Sequence, residues 1–232
     1  MKKLIWILIP LVLFSCDPKD LQKLLEAPLT NADIANGLKE ALNIGVGSSV
    51  DYLSAVDGYY QSPYKILLPE EARTVTDKLK FIPGFTDLED EVIKRINRSA
   101  EDAAKKAAPI FIDAITSLTF DDVMNILMGE KNAATSYLHG ATYNALYNEF
   151  NPVVVGSLNK YNALDYWADA VNKYNSIPFV TKVNPDLADH VTNEALKGLF
   201  SLIEVKEEGI RTDISQRTSD LLRRVFKKQD NS

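Results

Sequence analysis

Few residues in this chain could do chemistry. It has one cysteine, Cys16, and two histidines, His139 and His190, neither of which has a second ligand at helical or loop spacing. HExxH, GxxxxGK[ST], GxSxG and GxGxxG are all absent, so the backbone and side-chain geometry those motifs supply is not encoded here. "VVGSL" around Ser157 comes nearest to a nucleophile elbow, but it lacks the second glycine and a preceding strand. Histidine catalysis, a bound metal and a cofactor are therefore not expected. Carboxylates at Asp113, Asp121, Asp122 and Glu130 leave a metal-assisted site open, although helix capping accounts for Asp121 and Asp122. The acidic run "DLEDE" has the look of a calcium loop. Thr86 and Glu89 explain it at less cost as a capping box, each satisfying a backbone donor of the other.

Cys16 sits where an apolar run stops. Lys2 and Lys3 precede Leu4 to Phe14, the order of a bacterial secretion signal. The run is shorter than the ~20 residues a spanning helix needs, and Pro10 interrupts it. Leu13-Phe14-Ser15-Cys16 resembles the lipobox of bacterial lipoproteins, with Phe14 bulkier than the usual small residue. On that resemblance Cys16 receives diacylglycerol, carries palmitate-type chains and becomes the first mature residue. Two or three chains anchor stably, since each buried methylene contributes ~0.8 kcal/mol. Residues 1–15 then read as signal peptide, 16–30 as lipidated cysteine and tether, and 31–232 as one domain. The expected address is the cell envelope, with the outer membrane or periplasmic face ahead of the inner membrane. Without Cys16 the folded body has no thiol, which excludes disulfides and thiolate catalysis there.

Losing Lys2 and Lys3 leaves 24 basic residues against 32 acidic ones, a net charge of −8. So acidic a body is a poor nucleic-acid binder, and no nucleic acid is expected. One segment runs the other way: Arg211 to Lys228 holds six basic and two acidic residues. Within it, Arg211 falls at the end of one helix pattern, where a cation is welcome. Arg217 falls in the first turn of the next, where a cation costs roughly 0.3–1 kcal/mol. Arg217 therefore calls for a partner, either a carboxylate such as Glu101 or Asp102, or a bound anion.

The elements that must position these residues read as helices. Ile34, Leu38, Ala41, Leu42, Gly45, Val46, Ser49 and Leu53 recur at three- and four-residue steps. Gly58 and Pro63 break that pattern, Tyr64 to Leu68 reads as a short extended segment, and Pro69 opens the next helix. Asp90, Glu91 and Glu101 each stand four residues before a base, which favours an exposed helical face. Pro109 should kink or end that helix. Thr119 and Asp122 cap another, Asn151-Pro152 starts a further one, and Tyr143, Tyr147 and Phe150 share a face. Asn184-Pro185-Asp186 starts a long helix, and the last begins near Ser215. The expected fold is all-α: one bundle of eight or nine helices, with at most a very short β-ribbon.

The words "LKEALNIGVGSSVDYLSAVDGYY", "YKILLPEEARTV", "INRSAEDAAKKAAPIFIDAI", "LTFDDVMNIL", "NAATSYL", "EALKGLFSLIEVKEEGIR" and "RTSDLLRRVF" together resemble DUF4197, a bacterial family of unknown function. The resemblance implies a helical envelope protein, secreted or lipid-anchored, with no reaction and no agreed active site. Positions that match it include Gly58, Pro69, Asn97, Ala100, Glu101, Asp113, Arg211 and Arg217; His139 falls where variety is expected. Asn97, Glu101, Asp113, Arg211 and Arg217 form the candidate polar cluster, for a ligand or for structure. Three functions are weighed. A binding or scaffolding lipoprotein should show an exposed apolar patch or groove. A carrier of a small hydrophobic or anionic ligand should show a cavity near the tyrosines and Arg217. A carboxylate or metal-dependent envelope hydrolase should bring Glu101 and Asp113 together.

Overall fold

In the computed structural model the described residues are 28–160, 163–183, 187–227 and 230. Cys16, the signal segment, most of the tether and the Asn184-Pro185-Asp186 helix start lie outside them. The elements in order are α1 (Asn31–Ser54), α2 (Glu70–Leu79), α3 (Leu88–Ala104), α4 (Ala107–Thr116) and α5 (Phe120–Leu127). Next come α6 (Ala133–Lys160), α7 (Ala163–Asn175), α8 (Ala188–Thr212), a 3-10 turn (Ile214–Gln216) and α9 (Asp220–Phe226). No strand occurs among the described residues, and the fold is all-α.

Local chemistry sets several of the boundaries. Thr119 accepts from the Asp122 amide while the Asp122 carboxylate accepts from the Thr119 amide, the reciprocal box expected at the start of α5. An unforeseen second box, Thr30 with Asp33, starts α1. The box expected at Thr86 does not form. Asp87 occupies the N-cap of α3 without a side-chain bond, and Glu89 accepts from Thr76 Oγ1 at 3.3 Å, tying α2 to α3. Pro109 falls in the first turn of α4, where its missing N–H has no helical partner to lose, so α3 ends before it.

Pro152 behaves otherwise. It lies inside α6, and no new helix starts there. Phe150, Val154 and Leu158 on either side of it are fully buried, and this packing outweighs the lost bond to the Asn148 carbonyl. The final helix also starts later than expected. Ser215 belongs to the 3-10 turn, and α9 begins after Ser219, whose hydroxyl accepts from the Leu222 amide at 3.1 Å.

α6 lies along α8 and α3, while α1 packs on α8 and α3, so these four long helices enclose the core. Their facing stripes include Leu38, Leu42 and Leu53 of α1, Val92 and Ile96 of α3, Leu138 and Leu146 of α6, and Leu196 and Leu199 of α8. Each such side chain contributes about 1.5–3 kcal/mol on burial. The small stripe Ala41, Gly45 and Ser49 is buried on α1 and admits α8: a β-carbon at Gly45 would stand 3.6 Å from Lys206. α2 pairs with α7 at one flank, α4 and α5 pack on α1 and α6, and α9 docks on α1.

Candidate functional site

The five residues expected to form a polar cluster fall in separate places. Asn97, fully buried on α3, donates from Nδ2 to the Ile66 and Ile93 carbonyls (2.8 and 2.7 Å) and accepts from the Ile66 amide at 2.8 Å. Residues 65–69 have no regular secondary structure, and Ile66 among them pairs with this side chain rather than with a strand. Four residues on, Glu101 accepts from the Tyr59 and Tyr60 amides, both at 3.3 Å, and from Arg98 Nη1 at 2.7 Å. Arg98 continues to Asp57 Oδ1 at 2.6 Å and lies over the Tyr60 ring. Asp57 takes a left-handed backbone (φ 71°), and a β-carbon at Gly58 would run into the Tyr52 and Leu53 carbonyls. Tyr59 donates to the Ala195 carbonyl at 2.7 Å, and burial first, then the Glu101 charge, pushes its hydroxyl far above the usual tyrosine range. Glu101 and Arg98 thus clasp the turn after α1 against α3 and α8.

Arg211 and Arg217 serve helix ends. Arg211 donates to Glu207 at 3.0 Å and to the Ile126 and Leu127 carbonyls at 2.9 and 3.2 Å, closing the C-terminus of α5. Glu207 accepts from the Ala134 and Thr135 amides and the Thr135 hydroxyl, closing the N-terminus of α6. Arg217 is only 1 % exposed. It donates to the Ile210 and Arg211 carbonyls at the end of α8 and pairs with Asp230 at 2.7 Å. It therefore caps the helix before it, where positive charge is favoured, and its partners are carbonyls and Asp230 rather than Glu101 or Asp102. A void beside Glu207 and Arg211, at the α1/α8 seam, has room for little more than one water.

Asp113 stands exposed on α4, and its carbonyl accepts from the Ser117 hydroxyl at 2.8 Å. Ser157, the nearest thing to an elbow serine, donates to Asp102 at 2.8 Å and ties α6 to α3. His190 Nε2 donates to the Leu67 carbonyl at 2.9 Å. Among the described residues no group of three metal-ligating side chains converges, and no helix is long and apolar enough to cross a membrane.

The feature that sequence reasoning missed is an open groove of about 730 Å³ between α6 and α8. Phe200, nearly buried, forms part of its floor against Phe111, with ring centroids 5.7 Å apart. His139, exposed, lies 4.7 Å from the Phe200 centroid and 4.9 Å from that of Tyr143. Tyr143 donates across the groove to Asn193 Oδ1 at 2.6 Å, and Asn132 donates to Glu204 at 3.1 Å. Asn193 is itself held through Nδ2 by the Asp189 carbonyl at 3.0 Å. Lys197 pairs with Glu194 at 3.2 Å on the rim. The signal lay in the four-residue steps His139-Tyr143 and Asn193-Lys197-Ser201, legible only once the two helices are known to be neighbours.

No curated protein and no solved structure matches the chain. A family model does, over residues 28–227, a span that takes in every described helix, the clasp at Glu101, the two capping arginines and the groove. The chain belongs to DUF4197, the family described as protein of unknown function.

Proposed function

We propose that this chain is a non-catalytic binding module of the bacterial cell envelope, held to a membrane by lipid on Cys16, and that the α6/α8 groove is where it binds. One observation carries the reading. The groove presents exposed side chains at Ser136, His139, Lys197 and Ser201, whereas Asn97, Glu101, Arg211 and Arg217 are committed to backbone groups and, for the three charged ones, to Arg98, Glu207 and Asp230. A volume of about 730 Å³ lies within the ~300–1,000 Å³ typical of ligand sites. The hydrolase reading loses support, since Glu101 is engaged with Arg98 and Asp113 is exposed on another helix. The carrier reading has nothing to rest on at Arg217, whose hydrogen bonds go to helix carbonyls.

A photo-reactive residue placed at Ser201 in living cells tests the groove, with one at Asp90 on α3 as the control. Cross-linking to an envelope component from Ser201 and not from Asp90 is the expected result. Equal cross-linking, or none, would sink the assignment of the groove. Cys16→Ser tests the anchor separately: the protein should lose its acyl mass and its retention in the membrane fraction.

A further inference from the structure

Resting on the reading of the α6/α8 groove as a binding surface, we propose that its ligand is a neutral saccharide chain. The argument starts from what lines it. The segments 132–143 of α6 and 193–204 of α8 each run about 16 Å at 1.5 Å per residue. No leucine, isoleucine, valine or methionine faces the groove, and its apolar surface comes from Phe200, Tyr143 and His139. An amphipathic helix laid in a groove needs aliphatic sockets at i, i+3, i+4 and i+7. A lipid tail needs the same kind of lining. Neither finds it here.

Charge narrows the choice further. Glu194 and Glu204 outnumber Lys197, so the lining carries no excess positive charge with which to attract a phosphate or nucleic acid. What remains is an aromatic shelf whose exposed ring is His139, tilted 32° to Tyr143 and 54° to Phe200, ringed by hydroxyl, amide and carboxylate groups. A pyranose ring matches that combination, with one face of C–H bonds to lie on an aromatic ring and an edge of hydroxyls that both donate and accept.

The shelf is also held in place before anything binds. The Tyr143–Asn193 bond at 2.6 Å and the Asn132–Glu204 bond at 3.1 Å cross the groove on either side of His139. They fix the width of the shelf, which lowers the ordering cost of binding. His139, exposed between them and backed by Phe200, is the stacking residue. Ser136 and Ser201, both exposed, lie within reach of a sugar edge.

The test uses the full-length protein in detergent, titrated with the N-acetylglucosamine tetramer and, separately, with maltotetraose. Ligand-observed NMR reads both affinity and the sugar protons that touch the protein. Saturable binding of either sugar through its ring C–H protons is expected, and the stronger binder separates acetamido sugars from plain glucans. His139→Ala should weaken that binding about tenfold, a loss of one hot-spot contact, and Tyr143→Phe, which keeps the ring, should weaken it less. His139→Ala should melt close to the parent, because His139 is exposed, whereas Tyr143→Phe loses the bond to Asn193 and should melt slightly lower. If neither sugar saturates, or if His139→Ala leaves affinity unchanged, the saccharide is overturned. A cross-link from Ser201 to a protein in cells, with no sugar titrating, would keep the groove as a binding surface and remove the saccharide from it.

Discussion

Replacing Arg217 with methionine would keep most of its volume and remove five donors from a site that is 1 % exposed. The Ile210 and Arg211 carbonyls would then end α8 without a partner. Charge-assisted bonds of this kind are worth about 1.5–3 kcal/mol each. Arg217→Met should therefore lower stability by about 2–4 kcal/mol, measured by urea unfolding. Asp230→Asn should cost much less, since Asp230 stays in contact with water. At this scale the sequence asked for a carboxylate beside Arg217, and the one present is Asp230, not Glu101 or Asp102. The spacing placed Arg217 in the first turn of the last helix, because that helix reads as beginning near Ser215. A helix does start there, but only a single 3-10 turn in which Asp213 holds the Ser215 amide at 2.9 Å. Asn97 stood out only through the family resemblance and Glu101 read as an exposed partner of Lys105, while the backbone amides they serve come from segments some thirty to forty positions earlier.

Elements carry a different kind of information. α9 has only seven residues and depends on docking to α1 rather than on its own propensity. A β-carbon at Gly37 would come within 2.6 Å of Val225 Cγ2, so α1 has a notch into which α9 fits. Gly37→Val should push α9 away and lower stability by about 1–3 kcal/mol, the usual range for overpacking. Faster hydrogen exchange confined to the Leu222–Phe226 amides would confirm the cause; uniform loss of protection would count against it. Capping at Thr119 could be read directly because both partners lie within one turn. Pro152 was misread for the opposite reason: proline is a local signal of a break, and here α6 continues through it, packed on α3 and α8. The Thr86 box failed because Glu89 found a better-placed partner, Thr76, on another helix.

For the whole molecule, acid is the telling stress. Asp33, Asp122 and Asp213 are held below the ordinary carboxyl range chiefly by hydrogen bonds from Thr30, Thr119 and Ser215. Asp230 is lowered by its bond to Arg217. At Asp102 burial acts upward, but bonds from Lys105 and Ser157 and nearby cations outweigh it. A carboxyl lowered on folding adds stability above its unfolded value near ~3.9 and loses it as pH falls through the lower folded value. These five groups thus predict a melting temperature that is level from pH 8 to 5 and drops below about pH 4, checked by thermal melts across that range. The helical class was readable from three- and four-residue periodicity. The groove was not, because it exists only where residues 50 to 72 positions apart, on two different helices, come side by side. That separation matters most for α1. Its apolar stripe is covered partly by α3, α4 and α5 and partly by α8 and α9, which are made well after it. At about 5–20 residues per second, Leu38, Leu42, Val46 and Leu53 are synthesised on the order of ten seconds before their cover. For that interval the part of the stripe that α8 and α9 will cover stays bare on the nascent chain, which makes it a natural client for a holding chaperone.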